Sequence, residues 1–299
     1  MIKNFIDIDN FSKKNIDDII ALAKKIKKSP KKYESVCKDK TLAMIFEKQS
    51  LRTRLSFSVG MKKLGGNVLE LNSKDIGFDN KREEPKDILN VLAQYIDCIM
   101  IRNNNHDQLI ELSKYNVIPI INGLTEYSHP CQILGDFLTI KENFQNINNL
   151  KITWIGDYNN VLVSLLHLQN IYLFKLNIVI PKQILNSHLK KLKIYKNKKI
   201  NFLSDPIIGS KNSQCIMTDV WISMGEKNKN KLKYFKNFTV NKKIMKSAAN
   251  NSIFMHCLPA KRGQEVTSDV LDGKSSVILQ QAQNRMFIQQ AILIYVLQK

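Results

Sequence analysis

Short apolar runs alternate with stretches of helical periodicity along the whole chain, and this alternation restricts the fold more than any other feature. In the first half the pattern predicts a helix over 11–26, with Ile16, Ile19, Ile20, Ala23 and Ile26 on one face behind Ser12. Strands are expected at 41–46, 67–71, 97–101 and 117–121. Helices are expected at 52–64, ended by Gly65-Gly66, then at 87–95, at 106–114, and from Pro130 to about 144. A polar stretch at 145–150 reads as a linker. A second set follows, with strands at 151–155, 176–180, 200–203, 214–218 and 252–256, and a closing helix at 282–297. Short apolar strands separated by helices predict parallel sheets covered on both faces. The fold class is therefore α/β: two doubly wound parallel-sheet domains, joined by interdomain helices. With 299 residues, 43% of them hydrophobic, the chain can bury two such cores without staples.

The five cysteines (Cys37, Cys98, Cys131, Cys215 and Cys257) are scattered, with no CxxC pair, so neither a disulfide framework nor a zinc site is indicated. The first fifteen residues lack the apolar core of a signal peptide, and no apolar run approaches a membrane span. A cytoplasmic location and no membrane partner are expected. The formal charge of +20 raises nucleic-acid binding as an alternative. The 46 basic residues include only six Arg, however, and the Lys are spread along the chain with no aromatic residues interleaved for base stacking. No specific nucleic-acid partner is expected. Where Lys supplies surface charge, a retained Arg points to a need for its forked guanidinium, which matches phosphate and carboxylate bidentately. Arg52 and Arg54 lie two apart.

Ligands of open parallel sheets bind beyond the carboxyl ends of the strands. Six expected strand ends carry polar groups: Ser50-Leu51-Arg52-Thr53-Arg54, Arg102, His129-Pro130-Cys131-Gln132, Gly156-Asp157-Tyr158-Asn159-Asn160, Asp219 to Gly225, and His256-Cys257-Leu258-Pro259. The first opens a helix. Free backbone N–H groups, two hydroxyls and Arg52 there make an anion site, against the plainer reading of a capped helix with two solvent-facing Arg. His129 and Gln132 suit a carbonyl or an amide, and Asp219 with Ser223 suits an ammonium. Each has a plain structural alternative: a core His, a turn-forming Asp. Cys257 is either a reactive thiol or a small buried hydrophobe. Gly156 stands without GxGxxG or P-loop company, and no acidic cluster has metal-ligand spacing. No cofactor and no metal are expected.

Ser50 to Arg54 resembles the Ser-Thr-Arg-Thr-Arg carbamoyl phosphate motif of the carbamoyltransferases, and His129 to Gln132 their His-Pro-x-Gln motif. Asp219 to Gly225 resembles the Asp-x-Trp-x-Ser-Met-Gly loop of the members that use ornithine, and His256 to Pro259 is similar to their His-Cys-Leu-Pro. Phe46-Glu47-Lys48, Leu64-Gly65-Gly66, residues 120–124, Arg262-Gly263, Glu265-Val266 and Asn284-Arg285 extend the likeness over nearly the whole chain. The resemblance implies a carbamoyl phosphate domain at 1–145, with a C-terminal helix at 282–299 packed back onto it, and an ornithine domain at 150–280. It implies homotrimers and a place in arginine biosynthesis. Ser50, Leu51, Arg52, Thr53, Arg102, His129, Gln132 and Arg285 are implied to bind carbamoyl phosphate, with Cys257 and Leu258 reaching it from the second domain. Asn160, Asp219, Ser223 and Met224 are implied to hold ornithine. Arg102, His129 and Cys257 are the implied catalytic groups.

Three departures stand out: Leu51 in place of Thr, Gln283 in place of Glu, and Asp75 where many members have Gln. The loop 78–84 is long and charged. Asp75 is expected to point away from substrate or to be neutralised by Lys81 or Arg82. The implied reaction is acyl transfer from carbamoyl phosphate to the neutral side-chain amine of ornithine. The alternative within the family is a sibling acting on acetylornithine or putrescine, against which the loop from Asp219 to Gly225 speaks.

Overall fold

The computed structural model describes residues 2–48, 50–76, 78, 83–222 and 229–298, without the side chains of Lys74, Asp75 and Lys229. Ser223 and Met224, expected at ornithine, fall outside the described residues, as do Lys81, Arg82 and the side chain of Asp75. The chain divides into two units, the first made of 1–138 and 283–299 and the second of 139–282.

In the first unit, β1 (Thr41–Phe46), β2 (Asn67–Asn72), β3 (Cys98–Arg102) and β4 (Ile120–Leu124) form one parallel sheet in the order β2-β1-β3-β4. The central strands are apolar runs buried on both faces, as parallel pairing under helices requires. Ala43, Ile45, Ile99, Ile101 and Ile120 pack with Leu89, Ile96, Leu109, Leu112 and Ile118 in one core. The expected first helix is Lys13–Lys28, opened by a Ser12–Asn15 capping box. Helix Leu51–Lys63 follows β1 and ends ahead of Gly65, whose φ of +83° belongs to glycine and where a Cβ would lie 2.3 Å from Glu34 O.

The fourth strand departs from expectation. It covers Ile120–Leu124 rather than 117–121. Pro119 has no N–H and enters the sheet only through its carbonyl, which accepts from Ile99 N. Asn122, which reads as a turn residue, is fully buried in the strand. Its amide nitrogen donates to Ile6 O and Ser128 Oγ, and its main-chain N–H to Phe5 O. The N-terminal segment thus runs beside β4.

In the second unit, β5 (Lys151–Ile155), β6 (Lys175–Val179), β7 (Ile200–Leu203), β8 (Cys215–Thr218) and β9 (Ile253–His256) form a parallel sheet in the order β7-β6-β5-β8-β9. Helix Asn160–Tyr172, apolar on nearly all sides, is buried along most of its length. The chain changes unit inside helices Pro130–Asn143 and Ile278–Leu297, so the first change precedes the polar stretch at 145–150.

Each sheet reverses its winding once, between β1 and β3 in the first unit and between β5 and β8 in the second. Crevices open beyond strand ends at such reversals. Those four ends carry Ser50–Arg54, Arg102, Gly156–Asn160 and Asp219.

Candidate active site

Thr53 lies in the first turn of helix Leu51–Lys63 and is buried. Its Oγ1 accepts from Arg102 Nη1 at 2.9 Å, from the end of β3, and from Arg285 Nη2 at 2.9 Å, from helix Ile278–Leu297. A hydroxyl oxygen has two lone pairs, so Thr53 keeps only its O–H to give elsewhere. Two guanidiniums gathered on one oxygen repel each other, and an anion relieves that repulsion. Arg285 reaches this point because Gly135 lets the two helices approach: a Cβ there would meet Arg285 Cγ at 3.1 Å and Cα at 3.3 Å.

Ser50 is the N-cap of the helix, yet its hydroxyl makes no cap bond, so the free N–H groups of the first turn are not satisfied by it. The reading of this segment as a plain capped helix fails on that point. Leu51 is 67% exposed, so the side chain that replaces Thr stays out of the cluster. Arg54 faces away, pairing with Glu70 Oε1 at 2.9 Å and stacking on the ring of Phe46.

His129, buried at the start of helix Pro130–Asn143, is held well below the usual imidazole range. Burial is the main cause, reinforced by the charges of Arg285, Arg102 and Arg52. It is a neutral imidazole, able to donate one hydrogen bond without adding charge. Gln132 is buried three residues on, and its Nε2 donates to Asp136 Oδ1 at 2.7 Å. Asp136 was not foreseen from the sequence. Its spacing of four from Gln132 on one helix face was the available signal. The structure therefore brings Ser50, Arg52, Thr53, Arg102, His129, Gln132 and Arg285 to one end of the first unit's sheet.

In the second unit, Asp219 follows β8 and is buried. Its Oδ2 accepts from Asn159 Nδ2 at 2.8 Å, and its Oδ1 from the Cys257 thiol at 3.1 Å. Asn159 also caps helix Asn160–Tyr172, accepting from Val161 N and Leu162 N. It was missed beside the expected Asn160, since only the fold brings it to Asp219. Asp157 in the same turn pairs with Lys231, and Trp221 stacks on Phe235 at 4.8 Å.

Cys257 is half-buried, whereas Cys37, Cys98, Cys131 and Cys215 are buried. Burial pushes the Cys37 thiol up to about 11 and that of Cys131 to about 12, which keeps them inert. His256 is fixed as the neutral tautomer with its proton on Nε2: Nδ1 accepts from Leu258 N at 2.8 Å and Nε2 contacts Glu265 Oε1 at 3.1 Å. Leu258 takes the left-handed φ of 57° within this loop.

Asp219, His256 and Cys257 can each bring one ligand atom within 4.8 Å of the others, a grouping that sequence spacing does not show. Cys257 donates to Asp219, while both ring nitrogens of His256 are engaged, by Leu258 N and Glu265 Oε1.

Residues 3–142 match the family described as aspartate/ornithine carbamoyltransferase, carbamoyl-P binding domain, and residues 148–296 match its Asp/Orn binding domain. The chain is 39% identical to an ornithine carbamoyltransferase of Rhodopseudomonas palustris, covering 99% of this chain and 97% of the relative. It is 41% identical to that of Methanobrevibacter smithii, over 95% of this chain and 96% of the relative. Among solved structures, the ornithine carbamoyltransferase of Pyrococcus furiosus is similar at a TM-score of 0.87 and 37% identity, covering 97% of this chain and 96% of that one. The anabolic ornithine carbamoyltransferase of Campylobacter jejuni is similar at 0.87 and 37%, covering 99% of each. Both halves match in order and nearly end to end, and the strand-end clusters are those of the motifs, so this chain belongs to the aspartate/ornithine carbamoyltransferase family.

Proposed function

We propose that this chain transfers the carbamoyl group of carbamoyl phosphate to the side-chain amine of L-ornithine, giving L-citrulline and phosphate. The observation that carries the reading is the Thr53 hydroxyl held between Arg102 and Arg285 at a helix N-terminus, beside a neutral His129. The first unit takes carbamoyl phosphate. Arg52, Arg285, Ser50 and the N–H groups of the first turn, including that of Leu51, hold the phosphate. Arg102, Thr53 and His129 donate toward the carbonyl oxygen, where charge develops as the amine attacks. His129 does this as a neutral donor, so it need not compete with the guanidiniums for charge. Gln132 meets the carbamoyl nitrogen.

The second unit takes ornithine. Asp219, aimed by Asn159, pairs with the α-ammonium, with Asn160, Ser223 and Met224 as further contacts. The attacking amine must be neutral, although its free pKa is about 10.4 like that of Lys. Cys257 and Leu258 serve at that amine and the reacting carbonyl. Attack forms the C–N bond and a tetrahedral intermediate, phosphate leaves with the C–O bond's electrons, and the amine's proton is lost to solvent or phosphate. No covalent enzyme intermediate is involved, and the Cys257 thiol is engaged as a hydrogen-bond donor to Asp219. Citrulline and phosphate should form in equal amounts from carbamoyl phosphate and ornithine, and the rate should survive exhaustive chelation. Loss of activity with chelator, restored by a divalent ion, would contradict this account.

The same reading extends to a homotrimer acting in arginine biosynthesis in the cytoplasm. Helix Leu51–Lys63 turns Leu51, Leu55 and Val59 outward at a spacing of four, and Leu69 on the edge strand β2 is 47% exposed. That apolar face supports assembly with further copies. The free cysteines fit a reducing compartment.

A further inference from the structure

The Gln132 amide has two ends of nearly the same shape, and its neighbour decides which way they point. Its nitrogen donates to Asp136 Oδ1 at 2.7 Å, while its oxygen is buried with no hydrogen-bond partner among the described residues. An ionised carboxylate can only accept, so the reversed amide would set oxygen against oxygen. Asp136 therefore commits the carbonyl oxygen of Gln132 to the other end. A buried acceptor left without a donor is costly, and a ligand N–H removes that cost.

We infer that Asp136 is the positioning residue that makes this site select a carbamoyl over an acetyl group, by holding Gln132 Oε1 as the acceptor for the substrate's –NH2. The inference rests on the reading that Gln132 meets the carbamoyl group. Carbamoyl and acetyl phosphate are close in size, so shape alone separates them weakly. A site built to hydrogen-bond an N–H rejects the analogue lacking it much more strongly, because its own acceptor is then stranded.

The discriminating quantity is the KM for carbamoyl phosphate against the Ki of acetyl phosphate as its competitor. Both ligands carry the same phosphate, so any change in phosphate grip cancels in the ratio. Asp136→Asn can donate as well as accept, which releases the Gln132 amide from its fixed orientation. The expected result is a KM raised roughly tenfold, the scale of one hydrogen bond, with the Ki of acetyl phosphate changed by less than about twofold on the same scale. Gln132→Ala should lower the same discrimination, and a Gln132→Ala enzyme that discriminates normally would show the carbamoyl contact itself to be misassigned. If Gln132→Ala does lower it but Asp136→Asn leaves it intact, or weakens both ligands equally, Asp136 does not orient the amide. The paired exchange Gln132→Glu with Asp136→Asn keeps one acid and one amide in contact and returns an oxygen to the substrate end. It should recover most of the lost discrimination, and it serves as the test if the single Asp136 variant fails to fold. Discrimination that stays at the Gln132→Ala level in the paired variant overturns the inference.

Discussion

Arg52→Lys keeps a positive charge at the N-terminus of helix Leu51–Lys63 and removes the fork. A point charge cannot grip a phosphate bidentately, and loss of one charged hydrogen bond costs about 1.5–3 kcal/mol. kcat/KM for carbamoyl phosphate should fall roughly 10- to 100-fold, while Lys48→Arg changes little; near-normal kinetics for Arg52→Lys would remove Arg52 from the phosphate site. His129 carries a pH signature. Its folded pKa lies well below the unfolded value, so the unfolded chain binds a proton first as pH falls. The stability that comes from keeping it neutral is present above about pH 6.5 and is lost as pH drops from there toward the folded pKa, at up to about 1.4 kcal/mol per pH unit. In urea denaturation at pH 7.5 and 5.5, His129→Asn should lose less stability than the unmutated chain; equal losses would mean that His129 protonates normally in the folded state. Both proposed roles could be put forward from residue type and position. The neutrality of His129 could not, because it depends on burial in the folded unit and on the charge of Arg285, more than 150 residues away in sequence.

The β4–helix connection shows what an element can hide. Sequence reading placed β1, β5, β7 and helix His106–Lys114 at their observed bounds, since each is a clean apolar run or a periodic face between breakers. It misplaced β4 because Asn122-Gly123 reads as a turn, while the partners that satisfy Asn122, Ile6 and Ser128, are contributed by distant or looped chain. The same connection is braced by another buried contact. Asp7 Oδ2 lies 3.0 Å from His106 Nε2, and His106 Nδ1 lies 2.9 Å from Thr125 Oγ1. Thr125 Oγ1 in turn accepts from Ser128 N at 3.2 Å, directly before His129. Thr125→Val keeps the shape and strands buried partners of that hydroxyl, at a cost of about 1–3 kcal/mol. Its Tm should fall on the order of 3–10 °C, and Thr125→Ser should recover most of the loss. A Val variant as stable as the parent would show that the loop before His129 does not depend on this brace.

Over the whole molecule, two parallel sheets each place chemistry at their single reversal of winding, and the family match covers both units. The architecture was legible because buried parallel strands and covering helices leave strong periodic signals. The pairs that finish the sites, Asn159 with Asp219 and Asp157 with Lys231, were not, since they join residues 60 and 74 apart. The charge of +20 sits largely on Lys outside these clusters, and among the described residues the scarce Arg fall into two groups: Arg52, Arg102 and Arg285 at the proposed anion site, and Arg54 and Arg262 paired with Glu70 and Asp272. The central claim is a division of labour in which the second unit reads an amino acid through Asp219. 5-Aminopentanoate offers the same reacting amine and the same carboxylate as ornithine without the α-ammonium that Asp219 would pair with. The direct measurement is therefore citrulline formation from carbamoyl phosphate with ornithine and 5-aminopentanoate in competition, counting carbamoylated 5-aminopentanoate alongside. Ornithine is predicted to take nearly all of the carbamoyl group at equal concentrations; equal use of 5-aminopentanoate, or its preference, would contradict this division of labour.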